Sequence, residues 1–115
     1  MEDCIFCKIA AGKIPAPRVA ENDELLAFPD IDPQAPVHVL VIPTAHLPAV
    51  RGATGPAGEA MLGRLLAFSA EVATELGLDP KGYRIVTNTG PDAGQSVDHL
   101  HLHVLGGRRL TWPPG

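Results

Sequence analysis

The chain has no apolar run long enough to cross a bilayer as a helix, which takes about 20 consecutive apolar residues. Its start, Met1-Glu2-Asp3-Cys4, has no basic cluster ahead of an apolar stretch. It does not read as a signal peptide, and a cytoplasmic location is expected. Positive charge is scarce: Lys and Arg total 9 against 13 Asp and Glu, a net charge of −4. That balance argues against wrapping a nucleic-acid backbone, so neither nucleic acid nor a membrane is an expected partner. A small phosphate ligand held by a few local groups remains open. There is no P-loop pattern and no acidic cluster suited to magnesium. Repeats and linkers are missing too, and 115 residues make a single domain over 1–115.

Cysteine is nearly absent, but the two present are close together, as Cys4-Ile5-Phe6-Cys7. A stabilising disulfide is not expected in a reducing compartment. A thioredoxin-like redox pair belongs at a strand-to-helix turn, and no strand precedes this one. Half of a zinc site fits better, and histidines are the candidates for the other half.

Proline and glycine are plentiful, at 12 each, and mark frequent turns. Residues from Asp3 to Ala11 read as a short helix, capped by Asp3 and ended by Gly12. Short strands are predicted over Arg18–Glu21 and Glu24–Phe28, and a clear one over Val37–Ile42, stopped by Pro43. Gly55 to Leu76 is a predicted long helix, its apolar stripe formed by Ala60, Leu62, Leu65, Leu66, Phe68, Val72 and Leu76. Tyr83–Asn88 is another strand, followed by a loop from Thr89 to Val97. The tail runs from Arg108 to Gly115. Consecutive strands with one long helix predict an α+β fold with an antiparallel sheet.

Histidine is where the sequence is rich. Three of the five lie in His99-Leu100-His101-Leu102-His103-Val104-Leu105. As a strand, this run puts three imidazoles on one face and Leu100, Leu102 and Val104 in a core on the other. Imidazoles spaced about 7 Å apart suit three separate jobs around one anionic group better than three ligands on one metal. Clustered titratable groups mark a candidate functional site.

The His-x-His-x-His run with aliphatic residues between resembles the signature of the histidine triad (HIT) family. Asp30 to His38 looks like that family's loop and third strand, and Ile42-Pro43-Thr44-Ala45-His46-Leu47 like the segment that follows. Asn88-Thr89-Gly90, Gly94-Gln95-Ser96-Val97 and the terminal Trp112-Pro113-Pro114-Gly115 look like its nucleotide-hydrolysing Hint branch. The resemblance implies a HIT-like fold: about five antiparallel strands, one long and one short helix, and two sheets joined across a two-fold homodimer. It also implies a purine nucleoside phosphoramidate hydrolase, which splits a P–N bond and releases AMP or GMP. Dinucleoside polyphosphate hydrolysis and a non-catalytic nucleotide sensor or adaptor are the alternatives. A glutamine in place of His103 would resemble the transferases.

On that resemblance His101 is the nucleophile, nucleotidylated in passing, with its second ring nitrogen held by the carbonyl of His99. His103 would face the phosphate oxygens. His38 would support His103 from behind, or simply satisfy a polar contact in the core. Gly94 permits close backbone approach to a phosphate, and Ser96 can donate to a phosphate oxygen or guide the departing amine. Asn88 can bond the ester or ribose, and Gln95 and Val97 belong to the same loop. Asp30 is a candidate acceptor for both ribose hydroxyls, a contact that selects against deoxyribose. Ile5, Phe6, Ile9, Phe28, Ile31 and Leu40 would form an apolar base slot.

Relatives with the amino-terminal Cys-x-x-Cys pair look built to bind structural zinc. The matching positions here are Cys4, Cys7, His46 and His99. Such a metal would pin the short helix to the triad run and is not required for the chemistry. Asp98 departs from the pattern, since an aromatic residue is common before the triad.

Overall fold

The computed structural model describes residues 3–115. Met1 and Glu2, half of the acidic start considered above, lie outside the described residues. Five strands form one antiparallel sheet: β1 (Ala20–Glu21), β2 (Leu25–Pro29), β3 (Val37–Pro43), β4 (Tyr83–Val86) and β5 (Leu102–Gly106), in the order β1-β2-β3-β5-β4. Two α-helices accompany it, α1 (Ile5–Ala10) and α2 (Gly55–Glu75). The sheet and the two helices are those expected of a HIT-like fold.

Strand alternation gives the sheet two apolar faces. Leu25, Ala27, Val39, Val41, Leu102 and Val104 pack with Met61, Leu65, Val72 and Ala73 of α2. Leu26, Phe28, Leu40 and Ile42 pack on the opposite face with Phe6 and Ile9 of α1. Leu100 joins the α2 side, as the alternation of the histidine run requires. Register places Leu40 opposite His103 and His38 opposite Leu105. His38 and His103 therefore become diagonal neighbours on the α1 face.

The histidine run is strand only from Leu102 onward. Main-chain groups of residues 99–101 are taken by other partners. The Leu100 amide donates to Leu47 O at 2.6 Å. His99 O accepts from the His101 ring at 2.7 Å, and His101 O accepts from the Thr87 hydroxyl at 2.9 Å. With no ladder to extend, β4 also stops at Val86, short of the expected Asn88.

Two local expectations are corrected. Asp3 does not cap α1; the cap is Cys4, whose Sγ accepts from the Cys7 amide at 3.3 Å. The buried face of α2 is Met61, Leu65, Ser69, Val72 and Ala73, while Ala60, Leu66 and Leu76 are exposed. Ser69 sits in the core because its hydroxyl donates to Leu65 O at 2.9 Å, satisfying a group whose burial is otherwise costly. Helix α2 ends in a Schellman motif: Gly77, at φ 78°, donates to Thr74 O, and Leu78 donates to Ala73 O. Leu78 then packs where a Cβ on Gly106 would fall, at 2.8 Å. Burial of Leu65 contributes roughly 2 kcal/mol.

Candidate active site and metal cluster

The α1 face carries a cleft of about 260 Å³. His101 and His103 form its floor, with Asp30 beside them. Ile5, Phe6 and Ile9 of α1 line one wall, and Phe28, Ile31 and Leu40 contribute from the sheet and its loop. Ser96 and Val97 close it from the loop before the triad, and Pro29, not anticipated from sequence, completes the lining. Ile31 is 98% exposed and forms rim, not slot.

Three expected ligand contacts are spent elsewhere or stand apart. The Gly94 amide donates to Pro91 O, and φ of 83° at that glycine makes a turn. Gln95 staples its own loop, accepting from the Gly90 amide at 2.9 Å and donating to Pro48 O at 2.7 Å and Val97 O at 3.0 Å. Asn88 is half-buried and lies outside the cleft lining.

Hydrogen bonds assign the ring protons. His101 Nδ1 lies 2.7 Å from His99 O, a carbonyl that only accepts, so Nδ1 carries the proton and Nε2 keeps its lone pair. Edge-on packing of Phe6 against the ring, centroids 5.2 Å apart, fixes its plane. The opposite tautomer occurs next door. The Gln34 amide donates to His38 Nδ1 at 3.0 Å, so His38 carries its proton on Nε2. That proton is given to His103 Nδ1 at 2.9 Å, which leaves the His103 proton on Nε2. This atom is buried and has no partner among the described residues. One cleft thus presents a lone pair and an N–H donor on rings whose centroids are 5.0 Å apart.

Burial is the main reason His103 is pushed down to about 4, helped by His101 and His38 and opposed by Asp30. His38 is also lowered, first by burial, with Asp30 and Asp32 acting against it. Both rings are neutral near pH 7. Asp30 Oδ1 accepts from the Asp32 amide at 2.8 Å, and Oδ2 lies 3.4 Å from His38 Nε2. Asp30, His38 and His103 are close enough to suggest a metal trio. The tautomers argue otherwise, because His38 Nε2 bears a proton and His103 Nδ1 is already an acceptor.

His99 faces away from this cleft. Fully buried, it donates from Nε2 to Pro43 O at 2.8 Å, so its lone pair is on Nδ1. That lone pair meets Cys4 Sγ at 3.3 Å and Cys7 Sγ at 3.5 Å, and His46 Nδ1 lies 3.3 Å from Cys7 Sγ. The four donor atoms lie within 4.8 Å of one another. Two soft sulfurs and two imidazoles are the donor set of tetrahedral zinc, and the His99 lone pair already points at the sulfurs. The Pro43 carbonyl is the outer-sphere partner that such a ligand needs. Without a cation, burial and then Cys4 hold the Cys7 thiol above its ordinary value. Both thiols are free.

Besides Pro29 and Thr87, the groups that sequence reasoning missed are main-chain ones: the Gln34 amide and the Pro43 carbonyl. Neither has a side-chain signature. Thr87, which holds His101 O, is a side chain whose role depends on where β4 stops.

Known proteins resemble the chain along its whole length. An uncharacterized HIT-like protein of Synechocystis sp. is 54% identical over 114 residues, covering 99% of this chain and 98% of that protein. A 14 kDa zinc-binding protein of Brassica juncea is 49% identical over 118 residues, covering 98% and 100%. The crystal structure of a HIT family hydrolase from Legionella pneumophila superposes with a TM-score of 0.94 at 46% identity, covering 98% of this chain and all of that one. The family model described as HIT domain matches residues 11–110, a span that holds the triad and every strand, and the chain belongs to that family.

Proposed function

We propose that the chain is a purine nucleoside phosphoramidate hydrolase of the Hint branch, acting through a nucleotidyl-histidine on His101. The observation that carries this reading is the pairing of opposite tautomers in one cleft. His101 Nε2 attacks the α-phosphorus, a P–N(imidazole) bond forms, and the substrate's P–N bond breaks. The departing nitrogen takes a proton from solvent, relayed by the Ser96 hydroxyl at the cleft mouth, and leaves as the amine. Water then attacks phosphorus and returns a proton to solvent, the P–N(imidazole) bond breaks, and the nucleoside monophosphate is released. Throughout, His101 Nδ1–H stays on His99 O, which favours the positive charge the ring gains. His103 Nε2–H supplies the missing donor to a phosphate oxygen, an arrangement that needs no reorganisation during reaction.

The rest of the cleft suits a nucleoside. Asp30 keeps carboxylate lone pairs for ribose hydroxyls, and Phe28, Leu40, Phe6 and Ile9 offer an apolar slot to a purine, as in AMP or GMP. Cys4, Cys7, His46 and His99 would hold a structural zinc, which would tie α1, and so one wall of the slot, to the triad run. Exposed Leu66 on α2 and Trp112 in the tail, 81% exposed, support a homodimer that covers them.

The test is adenosine 5′-phosphoramidate hydrolysis, followed by release of the monophosphate, in wild type and His101→Ala. Steady turnover that disappears in the variant is expected. Equal turnover in both would remove the role given to His101. A wild type that binds the monophosphate but turns over neither this substrate nor dinucleoside polyphosphates would be a nucleotide sensor.

A further inference from the structure

We propose that Arg108, in the C-terminal tail, is a positioning residue that sets the tautomers of His38 and His103. Its kinetic consequence rests on the hydrolase reading above, while its structural consequence does not. Arg108 donates to Gln34 O from Nε at 3.2 Å and from Nη2 at 2.9 Å, and to Arg109 O from Nη1 at 3.0 Å. All three guanidinium nitrogens therefore end on carbonyls, and Arg108 makes no ion pair among the described residues. A fork that grips one carbonyl with two donors fixes the orientation of that peptide.

The carbonyl it fixes belongs to the Gln34–Ala35 peptide, and the adjoining Pro33–Gln34 peptide, joined to it through the Gln34 Cα, carries the amide that faces His38. The Gln34 amide donates to His38 Nδ1 at 3.0 Å. An amide N–H can only donate, so this bond exists only when the His38 proton is on Nε2. The proton then points to His103 Nδ1 at 2.9 Å and leaves the second His103 proton position, Nε2, facing the cleft. The path runs from tail to loop to His38 to His103, crossing from the Gln34 carbonyl to the Gln34 amide through the Gln34 Cα. The same loop is tied at its other end, where the Gln34 side chain donates to Asp32 O at 2.9 Å and the Asp32 amide donates to Asp30 Oδ1 at 2.8 Å.

Without Arg108, the Gln34 residue is held on that one side only. The His38 ring then loses its fixed donor, and each of the two imidazoles can carry its proton on either nitrogen. In the alternative state His103 turns a lone pair, not an N–H, toward the place a phosphate oxygen would occupy. A lone pair there repels the charge it should stabilise, so the loss falls on kcat more than on KM. His101 is insulated from this change, because its proton is held by His99 O.

Long-range 1H–15N spectra of the 15N-histidine-labelled full chain read the tautomers directly, with no substrate present. The wild type is expected to show Nε2–H on His38 and His103 and Nδ1–H on His101. Arg108→Ala is expected to give mixed tautomers at His38 and His103, an unchanged His101, and a kcat about tenfold lower, part of the loss seen when a charge-stabilising donor is removed outright. Arg84→Ala is the control: Arg84 also anchors the tail, donating to Thr111 O at 2.9 Å, but does not touch Gln34. It is expected to leave all three tautomers as in the wild type. Should Arg108→Ala fail to fold, Arg108→Lys carries the measurement, since a single ammonium cannot reproduce the two-pronged grip. Unchanged tautomers in a folded Arg108 variant, or the same change in Arg84→Ala, would overturn the proposal. Set tautomers in a wild type without turnover would leave it standing and overturn the hydrolase reading instead.

Discussion

Four of the five histidines fall into two groups that share a backbone run and differ in what lies behind each ring. His103, with His38 behind it, opens into the cleft, while His99 and His46 turn to Cys4 and Cys7. His99 and His101 are two residues apart, and one carbonyl links them: His99 O holds the His101 ring while the His99 ring looks the other way. The difference between a candidate nucleophile and a candidate metal ligand here is not residue type, burial or strand position. It is which nitrogen the backbone has already claimed. A carbonyl on Nδ1 leaves Nε2 to the cleft in His101. A carbonyl on Nε2 leaves Nδ1 to the sulfurs in His99. An amide on Nδ1 of His38, passed through one more ring, makes His103 a donor.

Removing the lone pair on the cleft side should have the largest effect. His101→Ala is expected to lower kcat/KM for adenosine 5′-phosphoramidate by at least about a thousandfold, since a nucleophile has no substitute within the cleft. Its melting temperature should move little next to that loss. Removing the donor tests the other half of the cleft. His103→Ala is expected to cost roughly a hundredfold, the scale of one preorganised donor to a developing charge. The loss should be in kcat, with the monophosphate still bound. A His103→Ala protein as active as wild type would mean that the unpartnered N–H serves no anion.

The metal group breaks differently. Cys7→Ser is expected to lose bound zinc, read by metal analysis of the purified protein, and to melt about 10 °C lower. Because α1 supplies Phe6 and Ile9 to the cleft wall, nucleotide affinity should weaken while kcat changes less than in either cleft variant. A Cys7→Ser protein that keeps full metal content would remove Cys7 from the ligand set.

What the residues alone conveyed follows the same division. Alternation of His and Leu was legible because strand geometry is periodic, and it correctly sent Leu100, Leu102 and Val104 to the α2 core. The union of Cys4 and Cys7 with His46 and His99 came from family resemblance, and the structure brings those four together. Periodicity failed on α2. It counts apolar side chains without knowing which flank meets the sheet, so it included exposed Leu66 and missed buried Ala73 and Ser69. It also overran the histidine strand, since nothing in the residue types says that Leu47 O would take the Leu100 amide. The His101 tautomer came from family resemblance, which gave the His99 carbonyl its role. Those of His38, His103 and His99 were illegible for a deeper reason: they depend on the Gln34 amide and the Pro43 carbonyl, groups every such residue carries.

The smallest expected effect is on stability, and it separates the two groups by subtraction. His103 has an ordinary value of 6.5 and is pushed down to about 4 in the fold, mostly by burial. Between those values the unfolded chain binds the proton and the folded chain does not, so stability rises with pH across that window. The contribution is fully present above about 6.5 and is lost as pH falls toward about 4. Denaturation midpoints of wild type between pH 4 and 8 should fall on the acid side. Carboxylates add to that fall: Glu24, lowered chiefly by its Arg64 hydrogen bond, loses its contribution on protonation. A metal held by Cys4, Cys7, His46 and His99 would add to it too, since protons compete with a metal for thiolate and imidazole. His103→Gln leaves Glu24 and the metal group intact, so the difference between its pH curve and the wild type's isolates His103. That difference should change most steeply between pH 4 and 6.5 and level off on either side. Parallel curves would mean that the cleft already admits enough water to keep His103 near its ordinary value, and that its Nε2–H does not wait in the dry setting from which it is held to act.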